Sequence, residues 1–172
     1  MKLLEKLKYS LFTEDEQAKK SRDTLNVVFF VYLSILIKLV VFKYPTDQLK
    51  EIAQFWSRND VLEGLNSANF TLFRTINMYI RYWDRLNSFE NLFGNVFLFS
   101  PLGFFLPFLQ KASRRWWVLL INSFVLVCSI ELFQLVTAFG AFDVDDIFLN
   151  CIGSMIGYLG FYAVWRSGKN KR

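Results

Sequence analysis

Four long apolar blocks decide what this chain can fold into. Leu25 to Phe42 is an 18-residue run whose one charge is Lys38. Leu92 to Leu109 is 18 uncharged residues interrupted by Pro101 and Pro107. Trp117 to Phe139 runs 23 residues with the single charge Glu131, and Ile147 to Trp165 runs 19 with none. At ~1.5 Å per residue each block reaches roughly 27–35 Å, enough for a ~30 Å hydrocarbon core. Buried helices of a soluble bundle keep a polar stripe, and these runs lack one. The expectation is an all-α membrane protein with transmembrane helices at about 25–42, 92–109, 117–139 and 147–165. Within the second span the prolines are tolerated where neighbours re-satisfy the freed carbonyls, and a kink is expected there.

Composition narrows the chemistry. With 53% apolar and 19% aromatic residues, the chain has too much apolar mass to be disordered. It contains no His, which removes His-based zinc sites, Ser-His-Asp and Cys-His triads and phosphohistidine mechanisms. Cys128 and Cys151 both sit inside apolar runs, which argues against a disulfide framework or a thiolate metal cluster.

The net charge of +5 is explained by where the basic residues lie. Lys2, Lys6, Lys8, Lys19, Lys20 and Arg22 precede the first span. Lys111, Arg114 and Arg115 fill the link 110–116, and Arg166, Lys169, Lys171 and Arg172 end the chain. The link 140–146 has no basic residue and three acids, Asp143, Asp145 and Asp146. The positive-inside rule puts both termini and the 110–116 link in the cytoplasm, with 43–90 and the Asp-rich link outside. The charge excess is topological, and no nucleic-acid partner is expected. No cleavable signal peptide is expected either, because Glu5, Lys6 and Lys8 break up the first leucines. Residues 1–24 read as a cytoplasmic amphipathic segment with Leu3, Leu4, Leu7 and Leu11 toward the inner leaflet. Thr13 and Glu16 have capping-box spacing and point to a second short helix starting there. Residues 25–165 read as the membrane domain, and 166–172 as a basic cytoplasmic tail.

In the outer segment, Pro45-Thr46-Asp47 is expected to open a short helix through Trp56, and 66–69 reads as loop. Leu72, Ile76, Tyr79, Ile80 and Trp83 then recur at helical spacing, with Arg74, Arg81 and Arg85 on another stripe. This is expected to be an interfacial helix on the outer leaflet. Its arginines either snorkel to headgroups or bind lipid phosphate by bidentate contacts.

Polar residues inside the spans gather on one side of the membrane. Asn91 and Asn95 lie at the outer end of the second span. Gln134 lies ~7.5 Å and Glu131 ~12 Å below Phe139 in the third, and Asn150 one turn below Asp146 in the fourth. The seven-residue link makes the third and fourth spans antiparallel neighbours, so Glu131 and Gln134 are expected to face Asn150 and Asp146. Asp146, Asn150, Gly153, Gly157 and Gly160 follow a 4-3-4-3 rhythm down one face. The glycines allow close approach of a partner backbone, in this chain or in a second copy. An ionisable group at this depth costs ~2.5–3.5 kcal/mol on insertion scales. Two readings of Glu131 stand: a neutral hydrogen-bonded strut, or part of a binding or acid–base site with Asp146. Lys38 is either a counter-charge or a snorkelling residue. Asp143, Asp145 and Asp146 are candidate oxygen ligands for a divalent cation.

At these residues the chain resembles the VanZ-like family of bacterial membrane proteins. Asn69-Phe-Thr-Leu-Phe-Arg-Thr-Ile76 is similar to the family's Asn-Leu-x-Pro-Phe-x-Thr-Ile stretch, with Leu72 where the family often has Pro. Asn91-Leu-Phe-Gly-Asn-Val-Phe-Leu-Phe-Ser-Pro-Leu-Gly-Phe104 is similar to its Gly-Asn…Pro-Leu-Gly-Phe signature. Ser129-Ile-Glu-Leu-Phe-Gln134 is similar to its Glu-x-x-Gln element, and Phe142 to Asn150 with Gly153 to its last block. The resemblance implies a bacterial cytoplasmic-membrane location and an association with resistance to teicoplanin-type glycopeptides, with no settled biochemical activity. Two functions are open. One is binding of an amphiphile, a lipid-linked cell-wall precursor or a glycopeptide antibiotic, by Asn91, Asn95, Glu131, Gln134, Asp143, Asp145, Asp146, Asn150, Arg74 and Arg81. The other is a membrane enzyme acting on lipid-linked phosphates or glycans, with Glu131 and Asp146 as its carboxylates.

Overall fold

The structure, a computed structural model, describes residues 2–42, 44–84 and 88–169, with 2–15, 17, 18, 89, 168 and 169 as backbone only. Readings placed on the side chains of Leu3, Leu4, Leu7 and Leu11, on Arg85 and on the end of the basic tail fall outside it. The described residues are almost entirely helical: α1 (Lys2–Val40), α2 (Thr46–Phe55), α3 (Arg58–Ser67), α4 (Arg74–Arg81), α5 (Ser88–Leu109), a 3-10 turn (Lys111–Arg114), α6 (Trp116–Thr137) and α7 (Val144–Lys169). Four stretches are long and apolar enough to cross a membrane: Lys19–Val40 of α1, Glu90–Leu109 of α5, α6, and Val144–Ser167 of α7. This is the expected all-α membrane architecture, with two differences outside the spans. α1 is one 39-residue helix, so no new helix starts at Thr13. The residues before it are mostly good helix formers, and nothing breaks the run. The expected loop region is also partly helical. α3 is opened by a capping box in which the Ser57 backbone N–H and hydroxyl both donate to the Asp60 carboxylate, at 2.6 and 3.0 Å.

α5 and α7 form the most extensive helix pair, and the glycines explain why. A Cβ on Gly157 would lie 1.8 Å from the Ser100 carbonyl oxygen, and one on Gly153 2.3 Å from that of Val96. From the other side, a Cβ on Gly103 would lie 1.7 Å from the Ser154 carbonyl oxygen. The two backbones therefore touch, in the manner of small-xxx-small interfaces. The Gly153–Gly157 face is filled by α5 of the same chain, and a second copy would have to displace α5 to use it. Pro101 and Pro107 lie inside the continuous helix α5. The Arg114 Nε donates to the Pro107 carbonyl at 3.2 Å, which ties the end of α5 to the following turn.

Leu36, Val41, Phe99, Leu102, Val127, Ile130 and Ile147 form the apolar core between α1, α5, α6 and α7. α1 packs only along one edge, mainly on α5. There the Tyr32 hydroxyl donates to the Leu98 carbonyl at 2.8 Å. Lys38 is exposed in the last turn of α1, at the edge of the span, where a lysine snorkels. Helices α2 to α4 lie at the end of the bundle formed by the end of α1, the start of α5 and the α6–α7 link. Gly64 of α3 meets Leu135, and the Trp56 indole N–H donates to the Val136 carbonyl at 2.9 Å. All five tryptophans sit near span ends, Trp56 and Trp83 at this end and Trp116, Trp117 and Trp165 at the other. That is the distribution of an interfacial aromatic belt.

Candidate functional site

At the α2–α4 end, a short chain segment leading into α4 is riveted to the start of α7. Asn69 pairs with Asp143 through two backbone bonds, Asn69 N–H to the Phe142 carbonyl (2.8 Å) and Val144 N–H to the Asn69 carbonyl (3.0 Å). The Asn69 amide nitrogen donates to the Thr75 hydroxyl (3.0 Å) and the Asp143 carboxylate (2.8 Å), while its Oδ1 accepts from Thr71 N–H (3.0 Å). Asp143 is the residue before α7, and its Oδ1 accepts the Asp145 N–H at 2.8 Å, an N-cap geometry. Its other oxygen accepts from the Thr75 hydroxyl at 2.6 Å.

Asp145 is fully buried, and its carboxylate is the anchor of α4. It accepts from the backbone N–H groups of Phe73 (2.5 Å), Thr75 (2.7 Å) and Ile76 (3.1 Å). These donors are otherwise the orphans of a helix N-terminus, and an anion is favoured there. Phe73 reaches this geometry with φ of 66°, in the left-handed region that costs a bulky side chain about 1–3 kcal/mol. Its ring packs edge-on against Phe148 at 5.4 Å, which helps hold the strained turn.

Glu131 is 2% exposed, and its Oε2 accepts the Asp143 N–H at 3.0 Å, fixing the α6–α7 link from below. Gln134 does not turn to the α7 amides as the spacing suggested. Its Nε2 donates at 2.9 Å to the carbonyl of Val40, one of the orphan acceptors at the end of α1. The reason is the position of α1, whose C-terminus lies beside this face of α6.

A second polar set lies between α5 and α7. The Asn95 Nδ2 donates to the Asp146 carboxylate at 2.7 Å, and both residues are half-buried. One turn below, Asn150 is 1% exposed, and its Oδ1 accepts no hydrogen bond among the described residues. Asn91 lies one turn above Asn95 and is exposed. Tyr79 of α4 is half-buried over this set. Burial, and then the carboxylates of Asp146 and Asp143, hold its hydroxyl above the ordinary tyrosine pKa, so it remains a neutral donor at physiological pH. Arg74 and Arg81 are exposed on α4, and neither side chain has a hydrogen-bond or ion-pair partner among the described residues.

The ten candidate residues thus fall into groups. Asp143, Asp145 and Glu131 are knitted into the link, Gln134 holds α1, Asn95, Asp146, Asn150 and Asn91 line the α5–α7 side, and Arg74 and Arg81 are exposed on α4. The three aspartates do not converge: Asp143 and Asp145 turn to the Asn69–Ile76 segment and Asp146 to Asn95. Among the described residues no group of three or more acidic or thiol side chains is arranged to hold a metal ion. Asn69, Thr75 and Tyr79 are the participants that the pattern of intramembrane polar residues missed, because they lie outside the spans. The signal available for them was the Asn69-x-Thr71 pair, whose short polar side chains close local turns.

The four sequence blocks therefore meet in space, 69–76 with 142–146, 142–146 with Glu131, and Asn95 with Asp146. No curated protein and no solved structure matches the chain. The model of the VanZ/LLP1 family matches residues 29–166, a stretch that contains every one of these blocks, and the chain belongs to that family.

Proposed function

We propose that this VanZ-like membrane protein binds the polar head of an amphiphile at the α4–α5–α7 end, with both termini in the cytoplasm and that end facing outward. The observation that carries the reading is Asn150. A buried acceptor without a donor costs about 1–3 kcal/mol, and it sits directly below the half-buried Asn95–Asp146 pair. A ligand hydroxyl or amide N–H would relieve that cost. The neutral Tyr79 hydroxyl and the exposed Arg74 and Arg81 of the same helix offer a donor and two cations to a phosphate or carboxylate head. Lipid-linked cell-wall precursors and lipoglycopeptides of the teicoplanin type both carry such heads at interfacial depth. The family association with teicoplanin resistance supports this class.

Expressed in a glycopeptide-susceptible Gram-positive host, the protein is expected to raise the inhibitory concentration of teicoplanin. Asp146→Asn is expected to reduce that protection, with a radiolabelled lipid-linked precursor left unconsumed. Stoichiometric conversion of the precursor, lost in Glu131→Gln, would replace binding with carboxylate-dependent catalysis. Orientation is tested separately. A cysteine introduced at Asn66 is expected to react with an impermeant thiol reagent in intact cells and one at Ser167 only after lysis; the opposite pattern overturns the assignment.

A further inference from the structure

α6 and α7 leave between them an apolar groove of about 710 Å³ on the membrane-facing side. Phe124 of α6 and Val144, Phe148, Ile152 and Met155 of α7 line it, and Leu72 closes one end. These α7 positions lie on the face opposite Asp146, Asn150 and Gly153, so the groove is separate from the α5–α7 polar set. It extends along α7 from Val144 to Leu159. Fifteen residues of rise give about 22 Å, whereas one leaflet of a ~30 Å hydrocarbon core offers about 15 Å. An ordinary acyl chain confined to one leaflet leaves the far part of such a groove unfilled.

At the Leu72 end the fold fixes the backbone of a cationic residue. Phe73 N–H and Thr75 N–H both donate to Asp145, and Asp145 adjoins Val144 in the groove wall. The Arg74 backbone, between those two donors, is thereby held at the first turn of α7. It lies two residues from Leu72, within about 7 Å of backbone. Its guanidinium is exposed and has no partner among the described residues.

We propose that the groove holds the single long chain of a polyisoprenyl-type lipid phosphate, with the phosphate at Arg74. This rests on the reading that this end takes a polar head, and it adds the class of chain. Three features favour such a lipid over a glycerophospholipid. The groove is longer than a leaflet, its lining side chains are apolar apart from the Cys151 thiol and offer little to ester carbonyls, and one cationic residue is anchored by its backbone neighbours at one end of a single channel.

The test uses the full chain in phosphatidylcholine nanodiscs, with tail-diazirine probes of undecaprenyl phosphate and farnesyl phosphate. The long probe is expected to label α6 and α7 and to bind about tenfold tighter than the short one, a difference of about 1.4 kcal/mol. Ile152→Trp and Ile156→Trp, at positions already exposed in the groove, are each expected to erase that preference while farnesyl phosphate still binds. Val31→Trp on the lipid-facing side of α1 is expected to change neither. Arg74→Gln is expected to weaken both phosphates about tenfold and leave the labelled positions unchanged. Equal affinity for the two chain lengths, labelling spread over α1, or full displacement by equimolar dioleoylphosphatidylglycerol overturns the proposal. If Asn150→Leu leaves binding intact while the tryptophan plugs alter it, the polar-site reading fails and the groove stands. If the plugs are silent while Asn150→Leu weakens binding, the groove fails alone.

Discussion

Asp145 and Asp146 are adjacent, yet they do different physical work. The Asp145 carboxylate is wholly buried and holds three backbone N–H groups of the Phe73–Ile76 turn, so its negative charge is needed to keep the left-handed Phe73 in place. Hydrogen bonds to a charged group are worth about 1.5–3 kcal/mol each, and unpaired buried donors cost more than the bonds gain. Asp145→Ala is therefore expected to destabilise the protein by about 3 kcal/mol or more, seen as a lower melting temperature in detergent and as protease sensitivity near residues 68–76. A melting temperature equal to the parent's would mean that Asp145 does not anchor α4. Asp146 is half-buried and accepts from the Asn95 side-chain amide, which Asp146→Asn can still satisfy, so that change is expected to cost much less. From sequence, all three acids of the link are candidates for ligand binding, with Asp146 singled out beside Glu131. Their division depends on which of them the Asn69–Ile76 segment reaches, and that is fixed only by tertiary placement.

At the level of helices, the four spans were legible because length and lack of charge leave a bilayer as their one stable surrounding. The glycine rhythm of α7 was legible too, and its partner turns out to be α5. Gly157→Ala would push a methyl group toward the Ser100 carbonyl, 1.8 Å away, and is expected to separate α5 from α7 at a cost of about 1–3 kcal/mol or more. Gly94→Ala is the control, because a Cβ there meets nothing within 4 Å. Thermal unfolding of both variants decides this, and equal stability would show that the α5–α7 contact is looser than described. Capping-box spacing misled at Thr13, where the helix already runs through from Lys2, and went unread at Ser57, where it does open α3. The motif marks a helix start only where the preceding residues do not themselves continue a helix.

For the molecule as a whole, the VanZ/LLP1 sequence blocks serve two purposes that sequence alone merges. One part, Asn69, Thr75, Asp143, Asp145 and Glu131, fastens the 69–76 segment to the α6–α7 link. The other, Asn95, Asp146 and Asn150, leaves a buried acceptor without a donor among the described residues. Glu131 looked like the most informative residue by depth and charge, and its carboxylate supports the link backbone. The central proposal is that the unsatisfied Asn150 Oδ1 belongs to a head-group site. The most direct measurement is lipid-phosphate affinity beside thermal stability for Asn150→Leu in nanodiscs. A ligand-facing Asn150 predicts that the ligand-free variant is at least as stable as the parent, by up to about 3 kcal/mol, since the cost of the unsatisfied Oδ1 is removed, and that affinity falls about tenfold. Parental affinity in the folded variant would contradict it.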